Sequence, residues 1–306
     1  MTADICLTAC HFTLAGAGWR QPPRWPLKDR LTAAAQAGFA GVGLRWPDVL
    51  DCCRQGTSIN ELARIITDLG LEVHELESVR GWYLASAAGR EGRRAEDELY
   101  GFADVLGGRH VTVVAEFEGP LPELPRMADR FRELCTRAAR HGLIAALEFV
   151  PQVTALKDLP TAATVVAAAG SANGGVLLDS WHLYHSGGTP DDVRALPAGS
   201  VVAIQLNDGP ATAASLRTAT TFERELPGQG SFDLTGLIRS VRETGFDGPF
   251  GVEIFHPDFH ALPLQTAADS AYRSARSIVA AAAESPAPVG EPREQGDDHD
   301  YRLRRR

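Results

Sequence analysis

Four apolar runs in the second half of the chain each end in a side chain that carries oxygen. Residues 143–147 run into Glu148, residues 174–178 into Asp179, residues 201–204 into Gln205 with Asn207 and Asp208 just beyond, and residues 250–252 into Glu253. An ionised carboxylate at the rim of a core loses hydration and needs compensation. For Asp179 three sources stand open: a metal ion, an arginine partner, or a role as a strand-to-loop cap. Three carboxylates drawn to one place repel one another unless a cation sits among them. His182 follows Asp179 by three positions, and His11, Glu75, Glu77 and Glu116 stand near other strand ends as candidates for a pocket rim.

Such tips converge only if the strands that carry them run the same way. Their spacing is close to the length of one strand-helix-strand unit, about 30 residues, with a longer final interval. Strands are expected at 5–9, 40–44, 71–77, 111–114, 143–147, 174–178, 201–204 and 250–254. Helices are expected at 27–37, 58–69 with Ser58 as cap, 92–106, 122–141, 160–169, 190–196, 234–245 and 264–283, many of them stopped by glycine. Eight alternating pairs predict a single-domain (β/α)8 TIM barrel over residues 1–284, in which all strand carboxyl ends face one mouth. No Gly-x-Gly-x-x-Gly opens the first helix, so the dinucleotide-binding fingerprint is missing. Residues 209–230 exceed an ordinary connection and read as a functional loop or lid. Residues 285–306, rich in Pro, Gly and charge, are expected to be a disordered tail.

The bulk composition narrows the partners. With 44% hydrophobic residues in 306, a sizeable core is available, and a net charge of −9 with pI about 5.5 disfavours nucleic acid. No signal peptide or membrane span is visible, which predicts a cytoplasmic protein without membrane attachment. Five scattered cysteines (Cys6, Cys10, Cys52, Cys53, Cys135) form no Cys-x-x-Cys pair and suit a reducing compartment. The expected partner is a small-molecule substrate, and homo-oligomerisation is left open.

The ordered motifs Leu147-Glu148-Phe149, Leu178-Asp179-Ser180-Trp181-His182, Gln205-Leu206-Asn207-Asp208, Leu226-Pro227-Gly228-Gln229-Gly230 and Gly251-Val252-Glu253 resemble the sugar phosphate isomerase/epimerase superfamily, the xylose-isomerase-like TIM barrels. The resemblance implies a divalent metal held by Glu148, Asp179, Gln205 and Glu253, a hard, oxygen-only set suited to Mn²⁺ or Mg²⁺ more than to zinc, with Co²⁺ and Zn²⁺ as further options, and a His182 that bonds a developing oxyanion or a substrate hydroxyl. Many ketose epimerases of that superfamily carry a second Glu six positions after the first metal-binding Glu, where this chain has Thr154. A Gln as third ligand is similar to hydroxypyruvate isomerases and some bacterial 3-dehydroshikimate dehydratases of this fold.

A metal so bound can chelate adjacent carbonyl and hydroxyl oxygens and stabilise an enediolate. Glu148 and Glu253 are then the candidate general base and acid. Arg224, in the long loop, is expected to reach over the mouth to a substrate oxygen or carboxylate. Trp46 and Trp82, after the second and third strands, are expected to wall the pocket, with ordinary packing as the alternative. The leading expectation is a metal-dependent isomerase or epimerase of a small sugar, ketose or polyol-derived ketone. The alternative is a dehydratase of a cyclic keto acid or inosose, such as 3-dehydroshikimate, on the same site. A DNA-repair endonuclease shares the barrel but needs more His and acidic ligands and a basic face, and a non-catalytic binding barrel is the last reading.

Overall fold

The computed structural model describes residues 5–18, 21–116, 123–153, 156–210 and 221–284. Thr154, the whole of the 285–306 tail and the middle of the 209–230 loop lie outside these. Eight parallel strands close into one barrel in chain order: β1 (Leu7–Ala9), β2 (Gly41–Arg45), β3 (Glu72–Val79), β4 (His110–Val114), β5 (Ile144–Glu148), β6 (Gly174–Asp179), β7 (Val201–Leu206) and β8 (Phe250–Val252). The ring is sealed where β8 pairs with β1, Ala9 lying opposite Val252. Both faces of these strands are covered, which is why they read as apolar runs and not as alternating ones.

The helices that pack outside begin and end on local signals. Ser58 accepts a hydrogen bond from Glu61 N and starts the helix Ile59–Asp68. Asp158 does the same for Leu159–Ala169 through Thr161 N. Gly38 ends Leu27–Ala37 with φ 104°, a conformation that a β-carbon would strain. The main core lies between barrel and helices, where Phe131, Leu134, Val165, Leu237 and Val279 are fully buried. The closing helix Leu264–Glu284 buries Ala268, Ala271 and Ala275.

Inside the barrel the filling is partly polar. Side chains usually found there are bulky and apolar, yet here Glu75, Thr112, Gln205 and Cys10 are buried. Room for them comes from glycine: a β-carbon at Gly43 would lie 2.7 Å from Glu75 Oε2, and one at Gly251 2.9 Å from Cys10 Sγ. All five cysteines are unpaired. Among the described residues no helix is long and apolar enough to cross a membrane.

Candidate metal centre and active site

Strand register sets the level of each side chain at the mouth. Asp179 on β6 lies opposite Gln205 on β7, Gln205 lies opposite Gly251 on β8, and Glu253 follows two residues further out. Glu148 ends β5. One carboxylate oxygen each from Glu148 and Asp179 and one ring nitrogen of His182 lie within 4.8 Å of one another. His182 Nε2 is 3.4 Å from Glu148 Oε1 and 4.0 Å from Asp179 Oδ2. The structure therefore adds His182 to the acidic cluster as a third donor, where the sequence reading gave it only to substrate.

Asp179, fully buried, combines two of the three compensations left open for it. Its Oδ1 caps the short helix Ser180–His185, accepting from Trp181 N at 2.7 Å and His182 N at 3.3 Å, and also accepts from Asn207 Nδ2 at 3.0 Å. Its Oδ2 has no hydrogen bond and faces Arg224 Nη1 at 2.9 Å. Burial pushes this carboxyl up, but Arg224, His182 and the Asn207 bond outweigh it and hold the group below the usual carboxylate range. Ser180 completes the arrangement: its Oγ lies 2.8 Å from Asn207 Oδ1 and accepts from Asn207 N at 2.9 Å. Sequence reasoning missed Ser180 and Asn207 as supports, although both sit inside the quoted motifs.

Arg224 is neither an arm over the mouth nor a solvated loop residue. It is 2% exposed, and its Nη1 contacts Glu253 Oε2 as well as Asp179, while Nη2 lies 3.4 Å from His182 Nε2. The reason is a clamp made by Asp208. Asp208 and Glu225 exchange backbone hydrogen bonds of 2.9 Å in both directions. The Asp208 carboxylate accepts from Gly228 N at 2.8 Å and from Phe232 N and Gly209 N at 2.9 Å. A β-carbon at Gly230 would meet Asp208 Oδ1 at 2.4 Å, which accounts for the second glycine of the Pro-Gly-Gln-Gly turn. Arg224 N also donates to Phe255 O, so the loop is pinned on both sides of the guanidinium.

Glu253 and Glu77 share a crowded acidic environment. Burial raises the Glu253 carboxyl well above its ordinary value, with Asp179, Glu148 and Glu75 adding to the rise and Arg224 opposing it. Burial likewise raises Glu77, reinforced by Glu75 and Glu253 and opposed by Arg45. An apolar wall stands beside them. Phe12 and Phe255 pack with centroids 4.5 Å apart, Arg45 lies over Phe12 at 4.9 Å, and Arg224 lies over Phe255 at 5.0 Å.

Gln205 joins the mouth to the barrel interior, and other expected positions fall away from the cluster. Gln205 donates from Nε2 to Glu75 Oε1 at 2.8 Å, and its own Oε1 is buried without a partner. Trp82, 8% exposed, gives its indole N–H to Val114 O and packs edge-on to Tyr83 and Phe131, so its ring belongs to the core. Trp46 opens the helix Trp46–Arg54, half-buried against the same core. His11 and Glu75 are not at the rim: His11 is buried beside Arg30 and Asp48, and Glu75 lies inside the barrel.

The residues fit a divalent cation. Two buried oxygens, Asp179 Oδ2 and Gln205 Oε1, have no hydrogen bond, and the acidic donors with His182 already sit at a spacing one ion can bridge.

A family model described as xylose isomerase-like TIM barrel matches residues 31–278. The chain is 32% identical over 251 residues to a 3-dehydroshikimate dehydratase of Pseudomonas aeruginosa, covering 81% of this chain and 39% of that protein. It is 27% identical over 154 residues to an inosose isomerase of Bacillus velezensis, covering 50% of this chain and 54% of that one. The chain thus spans about two fifths of the dehydratase and about half of the isomerase. A solved structure described as IOLI protein with a binding zinc atom superposes with a TM-score of 0.81 at 21% identity, over 90% of this chain and 99% of that one, a likeness of fold.

Proposed function

Because the chain belongs to the xylose isomerase-like TIM barrel family, we propose that its mouth is the active site of a divalent-metal-dependent enzyme that removes the proton next to a substrate carbonyl. The observation that carries this reading is the buried group of Glu148, Asp179 and His182 with donor atoms within 4.8 Å. Glu148, Asp179, Gln205 and Glu253 would hold the cation, Mn²⁺ or Mg²⁺, with His182 as a further donor or as the group that bonds substrate. Such a cation supplies Lewis acidity to a carbonyl oxygen and favours the enediolate. The chain's own groups do the rest: Glu148 takes the α proton, Glu253 returns one, and Arg224 holds the Asp179 and Glu253 carboxylates in place.

Both the isomerase or epimerase expectation and the dehydratase alternative have named relatives. Dehydration of a cyclic keto acid has the more identical match, 32% against 27% for the inosose isomerase, and one structural support. The Phe12–Phe255 wall edged by Arg45 suits a ring that carries a carboxylate. In that reaction one C–H and one C–O bond break, a C=C bond forms next to the carbonyl, and water leaves.

The test is α-hydrogen exchange. Protein loaded with Mn²⁺ is offered 3-dehydroshikimate, an inosose and small ketoses in D₂O, with product followed by NMR and by ultraviolet absorbance. Loss of the α proton is the step common to all readings: it leaves deuterium in recovered ketone or isomerised product, and an absorbing conjugated product marks dehydration. Glu148→Gln should lose exchange and remain folded. Neither exchange nor product with any of these ketones in metal-loaded protein would sink the proposal.

A further inference from the structure

Gln205 differs from the carboxylates around it because the two ends of its side chain are unlike: the amide oxygen accepts, the NH₂ group only donates. Only the oxygen can bind a cation, so a side chain held the wrong way round is no ligand. Gln205 Nε2 donates to Glu75 Oε1 at 2.8 Å, which leaves Gln205 Oε1 as the end without a partner. The same Glu75 oxygen accepts from Thr112 Oγ1 at 3.0 Å and lies 3.4 Å from His110 Nε2. Its other oxygen rests against Gly43, where a β-carbon would come within 2.7 Å. The carboxylate is 1% exposed at residue level, and no donor atom of the proposed metal set is supplied by it.

We propose that Glu75 is a positioning residue: seated against Gly43 and anchored by Thr112 and His110, it holds the Gln205 amide with its oxygen presented as a metal ligand. The inference rests on the reading of Gln205 as a ligand given above. It assigns a task to a buried acid that the reaction itself does not use, and it explains why the interior of this barrel holds a polar cluster directly behind the mouth. Second-layer partners of this kind orient ligands, and their loss usually weakens metal binding by about 10- to 100-fold.

The experiment is a Mn²⁺ titration of the full chain, by calorimetry, with circular dichroism as the check on folding. Glu75→Gln removes the acceptor-only partner and should weaken Mn²⁺ by about 10-fold or more. Gly43→Ala displaces the Glu75 carboxylate without deleting any polar group and should weaken it in the same direction, which carries the test if Glu75→Gln does not fold. The exchange Glu75→Gln with Gln205→Glu lets amide and carboxylate trade places, and should return affinity to within about 3-fold of wild type, since a carboxylate is a ligand either way round. Wild-type affinity in both folded single variants, or an exchange variant no tighter than Glu75→Gln alone, overturns the positioning role. If wild type and Asp179→Ala alike bind no Mn²⁺, the metal reading fails first and the inference falls with it.

Discussion

Arg224 lies between Asp179 and Glu253 with almost no exposure, so its loss strands acidic groups in a place water does not reach. Breaking a buried pair by deleting one member typically costs about 3–5 kcal/mol. Arg224→Met in the presence of chelator should therefore lower stability by about that amount, read from urea midpoints at neutral pH. Mn²⁺ should give back part of the loss, because a ligand that binds only the folded state stabilises it by about 2.7 kcal/mol at 100 times its Kd. An unchanged midpoint in chelator would mean that the guanidinium is not needed to compensate these acids.

At the scale of elements, the Asp208 clamp decides where Arg224 goes. Asp208→Ala deletes the acceptor of three backbone N–H groups and should cost about 2 kcal/mol or more. Turnover should fall with it while Mn²⁺ still binds; a variant with wild-type kcat would show that the clamp does not position the arginine. None of this was legible beforehand, since the bonds join positions 20 and 24 residues apart through side chains whose types alone suggest only a turn. The barrel was legible for the opposite reason. Each apolar run is followed by an amphipathic stretch and a glycine, signals contained within a few residues, and the helix at Leu27–Ala37 falls where it was expected. The short helices His11–Ala15, Trp46–Arg54, Ser180–His185 and Pro257–Ala261 were missed because most are too brief for a 3.6-residue period to repeat. The strand-tip acids could be read because a carboxylate ending a buried strand is costly. The inward turn of Arg224 and the amide direction of Gln205 depend on tertiary partners.

Across the whole molecule, buried histidines set an acid limit. Burial lowers His11, helped by Arg30 and Arg45, and also lowers His74 and His260 against the opposing pull of their hydrogen bonds. A histidine lowered in the folded state takes up a proton on unfolding, so its contribution is complete above the unfolded value near 6.5 and is lost as pH falls below it. Three such groups contribute a slope of up to about 4 kcal/mol per pH unit, which the raised carboxyls of Glu77 and Glu253, taking up protons in the folded state, reduce but do not cancel. Stability from urea midpoints should therefore drop between about pH 6.5 and 5.5. His260→Gln, which keeps a donor for the carbonyls of Phe12 and Ile254, should reduce that slope by roughly one third; an equal slope in both proteins would exclude His260 as a contributor. The paired backbones of Asp208 and Glu225 carry one more consequence for the molecule as a polymer. They tie Arg224, one residue from the pairing, to the strand end at Asp208 and not to its neighbours in sequence, so the guanidinium is placed by a contact between distant parts of the chain, as the strands of the barrel themselves are.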